Sequence, residues 1–155
     1  MLRHLRSLGF SEEELVRVYT CVIRPIADYC SPVYHSQLTD EQDELVERMQ
    51  SQALKCIYGP RVSAATMRKR AGITTLRARR IEQVDKFAAK AASSDRFSRW
   101  FPLRSGRATR GSDKYLETYA RCSRLYNSPV YYMRRRLNGK EGKRYGLRNK
   151  EYREG

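Results

Sequence analysis

Two helix starts of the same kind constrain the fold of this chain more than any other feature. Ser11 is followed three residues later by Glu14, and Thr39 by Gln42. Each pair spells a capping box, in which the first side chain accepts from the third helical N–H and the longer side chain reaches back. Glu12, Glu13 and Glu14 crowd the first of these turns, and Asp40, Glu41 and Asp43 the second. They favour the positive end of a helix dipole. Behind the first box, Leu15, Val16, Tyr19, Val22, Ile23 and Ile26 fall on one face at 3.6-residue spacing, and Pro25 is expected to kink or end the helix. Behind the second, Leu45, Val46, Met49, Ala53, Leu54, Cys56 and Ile57 form the expected buried stripe, and Gly59-Pro60 the stop. Ser31-Pro32 reads as an extended connection ending near Ser36. Two amphipathic helices so joined are expected to pack as an antiparallel hairpin over residues 1–60.

Beyond Pro60 the character changes. A short helix is expected over 63–71, stopped at Gly72, and a longer one capped by Thr75 over Leu76 to Ser93. Its apolar face is Leu76, Ile81, Val84, Phe87, Ala88 and Ala91, with Arg80 projecting into the middle of it. Such an arginine snorkels, pairs with a carboxylate or marks a bend. Pairing with an acid of the first two helices, which hold the spare acidic residues, is the preferred expectation for Arg80. Asp28, in an apolar neighbourhood, reads as a buried hydrogen-bonded acid or an arginine partner. Phe97, Trp100 and Phe101 before Pro102 read as a core plug closing the basic helical region 61–101. Residues 102–113, rich in Arg, Ser and Gly, read as a flexible basic loop. Within 114–138, Ser128-Pro129 starts a helix that buries Val130, Met133 and Leu137 and carries Arg134, Arg135 and Arg136 on its outer sides. Residues 139–155, charged and poor in apolar side chains, read as a disordered basic tail. The fold class is all-α.

Charge divides along the same lines. The 155 residues carry 32 Lys+Arg and 17 Asp+Glu, a net of +15. Residues 1–60 hold 6 basic and 9 acidic side chains, 61–110 hold 14 and 3, and 111–155 hold 12 and 5, so the excess lies wholly after Pro60. A polyanion is the natural partner of such a split. The candidate phosphate contacts are Arg68, Lys69 and Arg70 on the short helix; Arg79, Lys86 and Lys90, which share one face of the longer helix; and Arg134, Arg135 and Arg136. RNA, an RNA–DNA hybrid or DNA is the expected ligand. An ordinary solvated face, with Glu82 and Lys86 as an i,i+4 pair, is the competing reading of the longer helix.

Several classes fall away. Apolar runs are too short to span a bilayer, and the N-terminus lacks the apolar core of a signal peptide. Cys21, Cys30, Cys56 and Cys122 contain no C-x-x-C pair, and His4 and His35 complete no zinc spacing. Free thiols in a reducing compartment, nucleus or cytoplasm, are expected. No nucleophile motif, phosphate loop or paired carboxylate appears, so no catalytic residue, metal or cofactor is assigned.

The order of motifs carries a family resemblance. The run from Val18 to Tyr34, VYTCVIRPIADYCSPVY, resembles a signature that follows the polymerase palm in non-LTR (LINE-like, jockey-type) retrotransposon reverse transcriptases, approximately Y-x-x-x-I-R-P-x-x-E-Y-x-x-x-V-W. Leu38-Thr39 with Leu45 through Leu54 is similar to that family's next helix, and Gly72-Ile73-Thr74-Thr75-Leu76 with Arg79-Arg80 to its G-L-x-T-L-x-x-R-R. Phe97 to Pro102 and Tyr126 to Asn138 match later pieces, in order. Tyr34 stands where the family usually has Trp, and Ile-Ala-Asp precedes Tyr29 where Val-Leu-Glu is usual. The resemblance implies a thumb-like helical hairpin followed by a basic region that grips template and primer. It also implies a truncated fragment beginning after the palm, without the Asp-Asp pair and without polymerase activity. The alternative is a structural or interaction module whose 11–58 hairpin docks on a palm or another protein, the basic part only solubilising it.

Overall fold

Thr39 begins the longest helix as its sequence requires. In the computed structural model, which describes residues 1–104, 114–117 and 120–139, both halves of its capping box with Gln42 are formed. The box of Ser11 and Glu14 is formed as well. The chain is all-α, and among the described residues no strand occurs; Leu103 and Tyr115 form an isolated antiparallel bridge. The helices are α1 (Leu2–Ser7), α2 (Glu12–Val18), α3 (Arg24–Asp28), α4 (Ser31–Tyr34), α5 (Asp40–Tyr58), α6 (Ala64–Ala71), α7 (Leu76–Ala92), α8 (Ser123–Tyr126) and α9 (Pro129–Leu137). From residue 105 the expected 102–113 loop, and from 140 the expected tail, lie outside the described residues. Two compact units are distinguished, residues 1–31 with 38–81, and residues 32–37 with 82 onward.

In the first unit, Leu15, Tyr19, Leu54, Ile57 and Met67 are almost fully buried, and Leu2 and Ala53 complete the cluster. Leu2 belongs to α1, a helix not expected from the sequence. Its signals are Leu2 and Leu5 three apart and Gly9 beyond its end at φ +89°, a left-handed conformation that glycine adopts without strain. The helix that starts at Ser11 does not end at Pro25. It widens into a π turn over Tyr19–Ile23 and continues through α3 to Asp28. Pro25 has no N–H to give, and the Thr20 hydroxyl donates to the Val16 and Arg17 carbonyls at 2.9 and 3.0 Å. Both features loosen the regular i→i−4 ladder. Ser31-Pro32 is likewise not extended. It opens α4, followed by a 3-10 turn at His35–Gln37, with Pro32 in a first helical turn, where a missing N–H is harmless.

The stripe expected on α5 is displaced. Ala53, Leu54 and Ile57 are buried, but Leu45 and Met49 are 57% and 50% exposed, while Asp43 and Gln50 are buried. The cause is polar. Arg80 of α7 is fully buried and donates through Nη2 to Asp43. Gln50 Nε2 donates to the Thr74 carbonyl at 3.0 Å. Those partners hold the Asp43–Gln50–Leu54–Ile57 face inward. Glu47 accepts from the Arg77 N–H at 2.6 Å, and Thr75 Oγ1 from the Ala78 N–H at 3.1 Å, so α7 is capped partly by a side chain of α5. Asp28 meets Arg79 at 2.6 Å and Arg24 at 4.0 Å. Both expectations, a carboxylate for Arg80 and an arginine for Asp28, are met.

The second unit packs Val84, Ala88 and Ala91 of α7 with Phe101, Tyr115, Tyr132 and Met133. Phe97 stacks at a tilt on Trp100, 4.9 Å between centroids, and Phe101 meets Tyr115 edge-on. The expected plug holds for Phe101, which is buried, and for Phe97, which packs against the cluster, but not for Trp100, which keeps 43% of its surface exposed. Phe87, expected on the apolar face of α7, is also partly exposed. Asn138, just past α9, exchanges two 3.0 Å hydrogen bonds with the Tyr115 backbone through its amide. His35 Nε2 lies 3.4 Å from the Tyr132 hydroxyl.

The Arg80–Asp43 pair yields a stability prediction. Asp43→Asn leaves a buried guanidinium short of its counter-charge and should cost about 3–5 kcal/mol in urea unfolding. The double variant Asp43→Leu/Arg80→Met should recover most of that loss. A neutral Asp43→Asn would show that the pair is not needed.

Candidate nucleic-acid interface

An interface for phosphate requires cations that are exposed and not already satisfied. The nine expected contacts separate on this criterion. Arg68, Lys69 and Arg70 occupy the last turn of α6, which ends at Gly72 in the left-handed region at φ +63°. Cations at this end complement the helix dipole, so their charge costs the fold nothing. Lys69 and Arg70 are exposed and Arg68 half-buried, and among the described residues none of the three forms an ion pair. Arg61, exposed a few residues earlier, was not among the expected contacts. Its signal was its place in the same basic stretch.

Of the three cations expected on one face of α7, Lys90 is exposed and forms no ion pair among the described residues. Lys86 is exposed but pairs with Glu82 at 2.6 Å, the i,i+4 arrangement weighed above. Such exposed pairs hold weakly, by about 0.3–0.5 kcal/mol, and yield to a phosphate. Arg79 is different. Its Nε sits on Asp28, whose side chain is only 11% exposed. It serves the fold before it serves a ligand.

The arginines of α9 correct the sequence reading outright in position. Arg134 and Arg135 do not ride on the outside; they are 8% and 6% exposed. Arg134 donates through Nε to the Trp100 carbonyl at 2.6 Å and lies over Tyr131. Arg135 lies 3.7 Å over the Tyr126 ring and donates through Nη1 to the Tyr126 carbonyl at 2.7 Å. Burial pushes both guanidinium groups below the usual arginine range, with Tyr131 opposing for Arg134 and Tyr126 opposing for Arg135. Arg136 grips Asp85 with its side-on fork, Nε to Oδ1 at 2.8 Å and Nη2 to Oδ2. The aromatic partners on the preceding turn and the Arg–Asp pair, 51 positions apart, leave no periodic trace in sequence.

The first unit also carries an opposite surface. Asp40, Asp43, Glu44 and Glu47 line a groove of about 470 Å³ with Arg48, Ser51 and Arg77. Its excess of carboxylates disfavours phosphate there. Burial raises the Tyr19 phenol above its ordinary range, with Gln50 opposing, and keeps it neutral. All four cysteines are unpaired, and Cys21, Cys30 and Cys122 are exposed. Among the described residues no group of His, Cys, Asp or Glu is placed to hold a metal, and no helix is long and apolar enough to cross a membrane. No family model, curated protein or solved structure matches the chain.

The α9 geometry predicts a division between structural and available arginines. Arg136→Lys keeps the charge but loses the two-point grip on Asp85. It should lower stability by roughly 1–2 kcal/mol, because lysine cannot form the bidentate pair. Lys90→Gln, by contrast, should leave the unfolding midpoint unchanged.

Proposed function

We propose that this chain is the thumb and post-thumb portion of a non-LTR retrotransposon reverse transcriptase, and that it binds RNA, an RNA–DNA hybrid or DNA through phosphate contacts without sequence preference. The observation that carries the binding is the basic turn of Arg68, Lys69 and Arg70, in which Lys69 and Arg70 are exposed and no ion pair is formed among the described residues. Arg61 and Lys90 supply further available charge. The family assignment is supported by the five motifs in order from Val18 to Asn138. The role assigned to this chain is grip, not polymerisation, since the residues resemble no part of the metal-binding palm.

Phosphate contacts release counterions, so affinity falls with salt at a slope of about 0.9 per contact on a duplex. With about four contacts, binding of an RNA–DNA hybrid should weaken roughly 100-fold between 50 and 200 mM salt. The triple variant Arg68→Glu/Lys69→Glu/Arg70→Glu should reduce binding at least tenfold in fluorescence anisotropy while its helical circular dichroism is retained. A flat salt response, or undiminished binding by the triple variant, would refute the reading.

A docking role for the first unit has its own support. Val22, Ile26, Leu45 and Met49 stand 51%, 74%, 57% and 50% exposed on its helices. Apolar surface gathered into one patch marks an interface with another protein, and the docking reading assigns these four side chains to such a patch. In sedimentation velocity the full chain should self-associate as concentration rises, and Ile26→Asp/Met49→Lys should restore a monomer. A wild-type chain that stays monomeric throughout would argue against it.

A further inference from the structure

Trp100 is the chain's single tryptophan, and the fold leaves it at the surface. It keeps 43% of its area exposed, although Phe101, the next residue, is buried in the core of the second unit. Large aromatics are ordinarily taken inside, where their area stabilises most. Here the outward position is braced. The Trp100 carbonyl accepts from Arg134 Nε at 2.6 Å, and its ring centroid lies 4.9 Å from that of Phe97, which packs on the same core. The indole is therefore held in one place before any ligand arrives.

The local helix sorts the charges beside it. Asp95–Trp100 is a 3-10 helix, in which side chains three positions apart eclipse one another. Phe97 and Trp100 form one row, as their ring contact requires. Arg96 and Arg99 form the next row, both exposed and without an ion pair among the described residues. The Arg96 guanidinium lies 5.8 Å from the centroid of the Phe97 ring, so the cationic row borders the aromatic one. Asp95 shares the third row with Ser98, whose hydroxyl donates to the Asp95 carbonyl at 2.8 Å. This carboxylate pairs with neither arginine.

We propose that Trp100 is a stacking platform for an unpaired base of single-stranded RNA or DNA, with Arg96 and Arg99 on the flanking phosphates. Every base offers a flat face to an aromatic ring, and the strand's backbone offers charge to the guanidinium groups. Bases inside a duplex are already stacked on one another and do not reach the indole. An apolar protein surface is the less favoured occupant, because it would desolvate two arginines without giving them partners. The proposal rests on the polynucleotide reading above for the class of ligand. It adds a site for the unpaired base, which phosphate contacts alone do not select.

The test reads the emission of Trp100 in the full chain, which no second indole obscures. Three unlabelled ligands are titrated at constant ionic strength: dodecathymidylate, an abasic strand with the same phosphates, and a blunt RNA–DNA hybrid. Labelled copies report total binding by anisotropy. Dodecathymidylate should quench the emission, whereas the abasic strand and the hybrid should bind and leave it unchanged. Trp100→Ala should weaken dodecathymidylate binding at least fivefold, the loss expected for one stacked base, with hybrid affinity held within twofold. Arg96→Gln/Arg99→Gln keeps the ring and should lower the salt slope by about 1.4, since each single-strand contact contributes about 0.7. It remains decisive if Trp100→Ala does not fold. Unchanged emission with dodecathymidylate, equal quenching by the abasic strand, or an unchanged salt slope in the arginine variant would overturn the proposal. An emission change on raising the protein concentration alone would assign the surface to a second copy and overturn it too. The two readings fail separately. A hybrid that binds while dodecathymidylate leaves the emission unchanged removes only this site. Undiminished hybrid binding by the α6 triple variant, with quenching by dodecathymidylate retained, removes only the α6 grip.

Discussion

The first unit depends on one pair, the buried guanidinium of Arg80 and the carboxylate of Asp43. A charge with no exposure to water has to be matched, and matching it dictates which face of α5 turns inward. That choice leaves Leu45 and Met49 in solvent although they are more apolar than Asp43 and Gln50. The same facing brings Glu47 to the first turn of α7 and Gln50 to the Thr74 carbonyl. Nε and Nη1 of Arg80 remain without hydrogen-bond partners, so the pair is a costly device. Its effect is to specify one arrangement of α5 and the start of α7, more than to add net stability.

Arginine serves as internal fastening throughout. Arg24 and Arg79 face Asp28, Arg77 and Arg80 face Asp43, and Arg136 holds Asp85. Arg134 and Arg135 close on backbone carbonyls and tyrosine rings. A count of 32 Lys+Arg thus overstates the cations a polyanion can meet. Three of the cations that carry no ion pair among the described residues adjoin one another at the C-terminal turn of α6, where the helix dipole favours them. This is why the α6 turn, and not the α9 arginines, is the centre of the proposed grip.

Much of the scaffold was legible because its causes are local. Capping boxes at Ser11 and Thr39, the cap at Thr75, the stop at Gly72 and the Ser128-Pro129 start each lie within four residues of what they control. The partners of Arg80 and Asp28 were legible in kind, since a buried charge has few solutions. What failed had a competing cause outside the window. Of the two outcomes expected at Pro25, a kink or an end, the end does not occur, because the π turn before it absorbs the missing donor. The α9 arginines look solvent-facing by period, but tyrosine rings and the Trp100 carbonyl bury them.

By itself, then, the sequence determined that this chain is helical, where most of its helices begin and stop, and that its charge is divided at Pro60. Those follow from backbone capping, periodicity and counting, which act over a few residues. Only the tertiary structure decided which face of α5 is inside, which cations are consumed by carboxylates 37 or 51 positions away, and which arginines of α9 are buried. Those are questions of which side chains share a desolvated space, and no local rule carries that information.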